Sequence, residues 1–210
     1  MGAITLTRRF FAGQSLLKRI LQYRFRVLVT AVLLGFSLSI LPNMSASASP
    51  VAASLERQVK AAMLYKFLGY IEWPTELFKD PLTPYVIAVA GAADIATELQ
   101  QITVNRTVNH RPIQVKKVTM KSDLSDVHML FIGQEVSDTR ERSLLQKAAA
   151  YSVVTVTESD IGLGAGSIIN FRFVDDRVGF DVSLVNATAR GVKLSSRLLA
   201  VAGYVETGGL

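Results

Sequence analysis

The chain has 210 residues, no cysteine, and 23 basic against 17 acidic side chains. Without cysteine, disulfides, thiol redox chemistry and cysteine metal ligation are excluded, as is a lipid anchor on cysteine. Six basic residues and no acidic ones lie in residues 1–48, so the 17 basic and 17 acidic side chains that follow leave the rest formally neutral. This balance argues against a nucleic-acid partner.

Residues 1–48 have the pattern of a secretory signal peptide. The basic residues precede an uninterrupted apolar run over residues 27–41, and small residues then lead up to Ala48. Signal peptidases recognise this order of segments, so we expect cleavage after Ala48, with Ala46 as the alternative, and a mature protein in the periplasm. An uncleaved membrane anchor is the competing interpretation, although the apolar run is shorter than the roughly 20 residues that span a bilayer.

The mature chain is predicted to start with a short tether over residues 49–54, followed by an amphipathic helix with Ser54 as its N-cap. Glu56 and Lys60 form an i,i+4 pair on the polar side of this helix. The helix should end at Trp73, because a residue before proline is disfavoured in the α conformation. The expected buried stripe repeats at steps of three and four: Leu55, Val59, Ala62, Met63, Phe67, Tyr70 and Ile71.

Alternating strand and helix patterns follow. Residues 85–90 are an uninterrupted apolar run, which is typical of a strand covered on both faces. Further strands are predicted over residues 113–118, 128–132 and 153–156, and helices over residues 92–101 and 137–150. Strand, helix and strand at this spacing predict βαβ units.

The pattern changes after residue 156. A glycine-rich connection over residues 162–166, expected to be mobile, precedes two strands over 168–174 and 178–184. The turn between these strands contains Asp175 and Asp176, which indicates a β-hairpin. A short helix over 194–201 and a flexible tail over 204–210 end the chain. The fold class is therefore α/β: a single compact domain over residues 55–203, with helices packed on the faces of a mixed β-sheet and a C-terminal hairpin and short helix.

Glu158, Asp160, Gly162 and Gly164 form the candidate ligand loop. A dinucleotide site needs its glycines between a strand and a helix, whereas a strand follows here, so a flexible loop is the simpler interpretation. Two functions remain open for this loop. It could close on a small organic solute, or Glu158 and Asp160 could act as the paired carboxylates of a hydrolase.

Other catalytic patterns are missing from the sequence. The two histidines, His110 and His128, lack the spacing of metal ligands, and no Gly-x-Ser-x-Gly motif is present. We therefore expect no metal, no cofactor and no catalytic residues. Among the clustered aromatic residues, Tyr65 lies off the predicted stripe and Trp73 lies at the helix end, so both are candidates for exposed contacts with a protein partner.

Two segments resemble a known family. The sequence Ala-Ala-Met-Leu-Tyr-Lys-Phe over residues 61–67, with Ile-Glu-Trp-Pro over 71–74, is similar to the opening helix of the YfiR family of periplasmic regulators. The sequence Gly-Val-Lys-Leu-Ser-Ser-Arg-Leu-Leu over residues 191–199 is similar to the closing helix of that family. The resemblance extends over about residues 55–200.

The resemblance implies a non-catalytic α/β protein that binds the periplasmic sensor segment of an inner-membrane diguanylate cyclase and represses it. The level of cyclic di-GMP, and with it biofilm formation, would then fall. An outer-membrane lipoprotein that sequesters the regulator is a second implied partner, and a homodimer is a further candidate assembly. On the two similar segments, we predict that Tyr65, Trp73, Lys193 and Arg197 face the partner, whereas Phe67, Leu194 and Leu198 belong to the core.

Overall fold

The structure is a computed structural model and describes residues 50–174 and 177–208. The predicted signal peptide with its cleavage site at Ala48, and the hairpin turn residues Asp175 and Asp176, lie outside the described residues. Within the described ranges, no helix combines the length and apolar character needed to cross a membrane.

The described residues form five helices and ten strands. The helices are α1 Pro50–Phe67, α2 Ala93–Thr103, α3 Asp138–Ala148, α4 Leu184–Ala189 and α5 Ser196–Leu199. The strands are β1 Ile71–Glu72, β2 Tyr85–Ala90, β3 Thr107–Val108, β4 Arg111–Lys117, β5 Met129–Ile132, β6 Val154–Thr157, β7 Ile169–Val174, β8 Arg177–Ser183, β9 Lys193–Leu194 and β10 Tyr204–Glu206.

Eight of these strands form one mixed sheet in the order β10-β8-β7-β6-β5-β2-β4-β3. Strands β4, β2, β5, β6 and β7 are mutually parallel, whereas β3 and β8 are antiparallel to their neighbours β4 and β7. Within this sheet the chain enters at β2, passes through the edge strand β3 to β4, and then continues on the other side of β2 with β5. This arrangement confirms the predicted α/β class and mixed sheet.

Both faces of the sheet are covered. On one face, Ile87 packs in the same core cluster as Leu64 of α1 and Leu99 of α2. On the other face, Val86 shares a second cluster with Leu144 of α3. Every residue of β2 is buried, which is why its sequence is continuously apolar rather than alternating.

The predicted limits of the opening helix were wrong at both ends. Helix α1 begins at Pro50, a residue favoured in the first turn, so Ser54 lies inside the helix and is not its N-cap. The helix ends at Phe67, and a turn leads into β1, well before Trp73.

The buried stripe of α1 also differs from the predicted one. Leu55 is 60% exposed and Tyr70 is 38% exposed, whereas Lys60 is buried. The residues that face the core are Lys60, Ala61, Leu64 and Phe67. Apolar residues lie on several sides of this helix, so their spacing alone fitted more than one buried stripe.

The C-terminal region confirms one prediction and corrects two. Strands β7 and β8 pair antiparallel along their whole lengths, as the hairpin prediction required. The tail was predicted to be flexible, but Tyr204–Glu206 forms β10 and pairs with β8. The predicted helix over residues 194–201 contains only Ser196–Leu199, because Lys193 and Leu194 pair with β1 instead.

Candidate functional site

The two segments that resemble the regulator family meet in space. Strands β1 and β9 pair antiparallel, with Ile71 opposite Leu194 and Glu72 opposite Lys193. Beyond the pair, the backbone N–H of Ser195 donates a hydrogen bond to the carbonyl oxygen of Tyr70, at 2.9 Å. The start and the end of the domain are therefore joined by main-chain hydrogen bonds.

Helix α5 fixes the side chains at this contact. The Ser195 hydroxyl accepts a hydrogen bond from the backbone N–H of Leu198 at 3.3 Å, which caps the helix. Leu198 is 3% exposed and anchors the helix in the core, as predicted, and Leu194 is partly buried against that core. Lys193 and Arg197 are exposed.

We call the exposed residues of these paired segments, Tyr70, Glu72, Lys193 and Arg197, the end junction. It combines an aromatic ring, one carboxylate and two cations on short elements that are tied to the core. Aromatic residues and arginine are both enriched in protein–protein interfaces. The partner-facing roles of Lys193 and Arg197 stay predictions.

Trp73 does not belong to this surface. It is 7% exposed, and its indole N–H donates a hydrogen bond to the carbonyl oxygen of His128 at 3.0 Å. The indole ring packs against Tyr85 with ring centroids 5.3 Å apart. The prediction of an exposed Trp73 is therefore wrong, because the chain turns inward after β1 and places this side chain in the core.

Tyr65 is half-buried on α1. The Arg106 guanidinium lies 5.5 Å from the centroid of its ring, and the Lys66 ammonium lies 5.8 Å from it. These cation–π contacts give Tyr65 a structural role on the protein's own surface. Its role toward a partner stays a prediction.

A groove of about 630 Å³ opens at the carboxyl ends of β6 and β7. Three residues of the predicted ligand loop line it: Glu158, Asp160 and Gly164. The carboxyl edge of parallel strands is where open α/β sheets usually bind ligands. The aromatic side chains of Phe173 and Tyr204 also line the groove, and both are more than half exposed.

The glycine-rich segment beside this groove was predicted to be a flexible loop, and its glycines have separate structural roles. It contains a 3₁₀ turn over Leu163–Ala165. Gly162 is buried, and a Cβ atom at this position would lie 2.3 Å from Asn170 Oδ1 and 2.4 Å from Thr157 Oγ1. Gly162 is therefore required for close packing, and it does not line the groove.

Glu158 is engaged in a buried ion pair. Its carboxylate contacts the Lys60 ammonium, which also contacts Glu56, and the Glu158 Oε1 atom accepts the backbone N–H of Gln134 at 3.0 Å. Burial disfavours the charged ammonium, but its hydrogen bonds to Glu158 and Glu56 together raise the pKa of Lys60. Both oxygens of this carboxylate are engaged, Oε1 by the Gln134 N–H and Oε2 by Lys60, so the geometry argues against the hydrolase interpretation.

The burial of Lys60 was not predicted from the sequence. The i,i+4 spacing of Glu56 and Lys60 indicated an exposed helix pair, whereas the Lys60 side chain is only 8% exposed. The available signal was the position of Glu158 directly after a buried strand. A carboxylate at the end of such a strand requires a partner, and Lys60 is that partner.

His128 is a core residue. Its Nδ1 atom accepts a hydrogen bond from the backbone N–H of Val86 at 3.2 Å, and its ring stacks on Phe78 with centroids 4.8 Å apart. Burial lowers the pKa of His128 to about 4, so the ring is neutral at neutral pH. Within residues 50–174 and 177–208, no three histidine, aspartate or glutamate side chains are grouped so as to hold a metal ion.

A known protein family matches most of this chain. The family model described as YfiR/HmsC-like matches residues 57–203. No curated protein matches the chain. Both strands of the end junction lie inside the matched range, close to its two limits.

Proposed function

Because the chain belongs to the YfiR/HmsC-like family, which is regulatory and acts in diguanylate cyclase signalling, we propose that this protein represses an inner-membrane diguanylate cyclase from the periplasm. It would bind the periplasmic sensor segment of the cyclase and lower the level of cyclic di-GMP. The single observation that carries this proposal is the family match, which extends over nearly all of the described chain.

The end junction is the proposed contact surface for the cyclase. It is exposed, it is built from the two segments that resemble the family most, and the hydrogen bonds of β1 and β9 hold its side chains in place. Lys193 and Arg197 supply the positive charge, and Tyr70 supplies the exposed aromatic ring. This composition suits a partner segment that presents carboxylates beside an apolar residue.

Repression from outside the membrane requires a preference between states. A periplasmic domain shifts a transmembrane protein only by binding its inactive state more tightly than its active state. A tenfold shift needs a preference of about 1.4 kcal/mol. An outer-membrane lipoprotein that covers the same surface would remove this preference and release the cyclase.

The direct test is recovery of the partner. The exported protein, carrying an affinity tag at its C-terminus, is cross-linked in intact cells and purified from solubilised membranes. We expect a transmembrane diguanylate cyclase in the eluate, identified by mass spectrometry. The single variants Lys193→Glu and Arg197→Glu should each recover at least tenfold less of it, because each turns one favourable charge contact into a repulsive one.

The matched control is Lys121→Glu, which reverses an exposed lysine on the loop after β4. It should recover as much cyclase as the unmodified protein, and all three variants should keep the melting temperature of the parent. If the Arg197→Glu variant retained full recovery, the end junction would not be the contact surface. Failure to recover any cyclase would count against the repressor function itself.

The groove favours a second function, the binding of a small solute. Four carboxylates line it, from Glu56, Glu158, Asp160 and Asp181, against the cations of Lys60 and Arg172. Lys60 pairs with Glu56 and Glu158, and Arg172 pairs with Asp181 at 2.8 Å. Within the described residues Asp160 is therefore the lining carboxylate without an ion pair, and it is the group that would bind an organic amine. Thermal stabilisation by amines such as putrescine, lost in Asp160→Asn, would support this function, and an unchanged melting temperature would remove it.

A further inference from the structure

A separate cavity of about 280 Å³ lies between α3 and the end of α4. Two of its lining residues are arginines, Arg142 on α3 and Arg190 directly after α4, and none of them is acidic. The cavity shares no lining residue with the groove beside Glu158. The charged side chains that line this cavity are therefore all cations.

Arg190 is a buried cation without a carboxylate partner. It is 9% exposed, and its guanidinium donates to three neutral oxygens: Val153 O at 3.3 Å, Thr155 Oγ1 at 3.4 Å and Gly166 O at 2.9 Å. Within the described ranges, no aspartate or glutamate forms an ion pair with it. Burial lowers the pKa of Arg190, and no opposing charge offsets the effect.

Donor groups remain free at this cavity. A guanidinium has five N–H groups, and the Nε atom of Arg190 has no acceptor among residues 50–174 and 177–208. Arg142 is exposed at the cavity wall and forms no ion pair with any of the described residues. The side-chain amide of Gln146, one turn further along α3, adds a neutral donor.

From these contacts we propose that the cavity binds a small oxyanion, a carboxylate or a phosphate, held between Arg190 and Arg142. Arginine matches the geometry of both groups, since two parallel N–H groups bond two oxygens of the anion. The bound anion would supply the negative charge that the buried guanidinium of Arg190 lacks as a partner. The small side chains of Ala149 and Ala189 leave room for it on the cavity wall. This site is independent of the proposed repression.

Thermal unfolding of the purified exported protein tests the site. Sodium phosphate and sodium acetate are titrated separately against sodium chloride at constant ionic strength. We expect a saturable rise in melting temperature with one of the first two salts, and the more effective salt identifies the class of anion. A response no greater than that to chloride would overturn the proposal.

Three variants locate the response. Arg142→Gln should weaken the midpoint of the anion titration by about tenfold or more, because it removes charged donors from an exposed position that the fold does not need. Arg140→Gln, an exposed arginine on the same helix that does not line this cavity, should leave the midpoint unchanged. Ala149→Glu should abolish the response by placing a carboxylate on the cavity wall. Equal midpoints in the two arginine variants, or a retained response in Ala149→Glu, would contradict the assignment.

Discussion

Lys60 joins α1 to the carboxyl edge of the sheet, since its ammonium bridges Glu56 on its own helix and Glu158 after β6. Replacement by methionine keeps the apolar stem but leaves the Glu158 carboxylate buried without a cation. We expect Lys60→Met to lower the free energy of unfolding by about 3–5 kcal/mol, measured by urea denaturation. The double variant Lys60→Met with Glu158→Gln should recover much of this loss.

The control for this prediction lies on the same helix. Lys66 is exposed and its ammonium lies over the Tyr65 ring, so Lys66→Met should lower the free energy of unfolding by no more than about 1 kcal/mol. Equal losses for the two single variants would show that Lys60 is solvated and that the ion pair does not hold α1 in place.

His128 predicts a specific pH dependence of stability. Its pKa is about 4 in the folded protein, well below the ordinary value of 6.5. Above pH 6.5 the ring is neutral in both the folded and the unfolded state. As the pH falls from 6.5 to 4, the folded state loses stability because the unfolded chain takes up the proton first. The full loss from this group is about 3 kcal/mol.

The comparison variant is His128→Asn, whose amide oxygen can accept the Val86 N–H without titrating. The free energy of unfolding is measured by urea denaturation at several pH values from 7 to 4. The parent protein should lose about 3 kcal/mol more than the variant over this range. Parallel pH profiles for the two proteins would mean that folding does not lower the pKa of His128.

Among the secondary-structure elements, strand β10 leads to a prediction about the C-terminal tail, namely that the tail contributes to the stability of the sheet. Strand β10 pairs with residues 181–183 of β8, and the backbone N–H of Gly203 donates to Phe180 O at 2.8 Å. Ending the chain after Ala202 should lower the free energy of unfolding by about 1–3 kcal/mol, because these main-chain bonds are lost. Ending the chain after Glu206 keeps β10 and should have little effect on the free energy of unfolding. If both truncated proteins were equally stable, the tail would be flexible, as the sequence predicted.

The elements that the sequence predicted well are the long ones with a clear pattern. The apolar run of β2 and the paired strands β7 and β8 needed no knowledge of the tertiary fold. Strands β9 and β10 contain two and three residues, which is too short for any periodicity, and their partners lie far away in the chain. They form only because β1 and β8 are already in place, so the pairing that builds the end junction could not be predicted.

In the molecule as a whole, some residues of the candidate sites could be predicted from the sequence and others could not. The sequence pattern indicated Lys193, Arg197 and the loop residues Glu158 and Asp160 as candidates. In the structure the first two are exposed and the last two line the groove, and their roles stay predictions. It misplaced Trp73, because a tryptophan at the end of a predicted helix is exposed or buried according to the turn that follows. The cavity at Arg190 was not predicted, since neither arginine is part of a motif and only the tertiary fold brings both to one cavity.

The central claim, repression of a diguanylate cyclase from the periplasm, is tested most directly by the cellular concentration of cyclic di-GMP. It is measured in a strain that lacks the gene, in the parent strain that makes the protein, and in the deletion strain supplied either with the full chain or with a chain lacking residues 1–48. We expect cyclic di-GMP to rise in the deletion strain, together with stronger surface attachment, and to return to the parent level with the full chain alone. An unchanged cyclic di-GMP concentration in the deletion strain would contradict it.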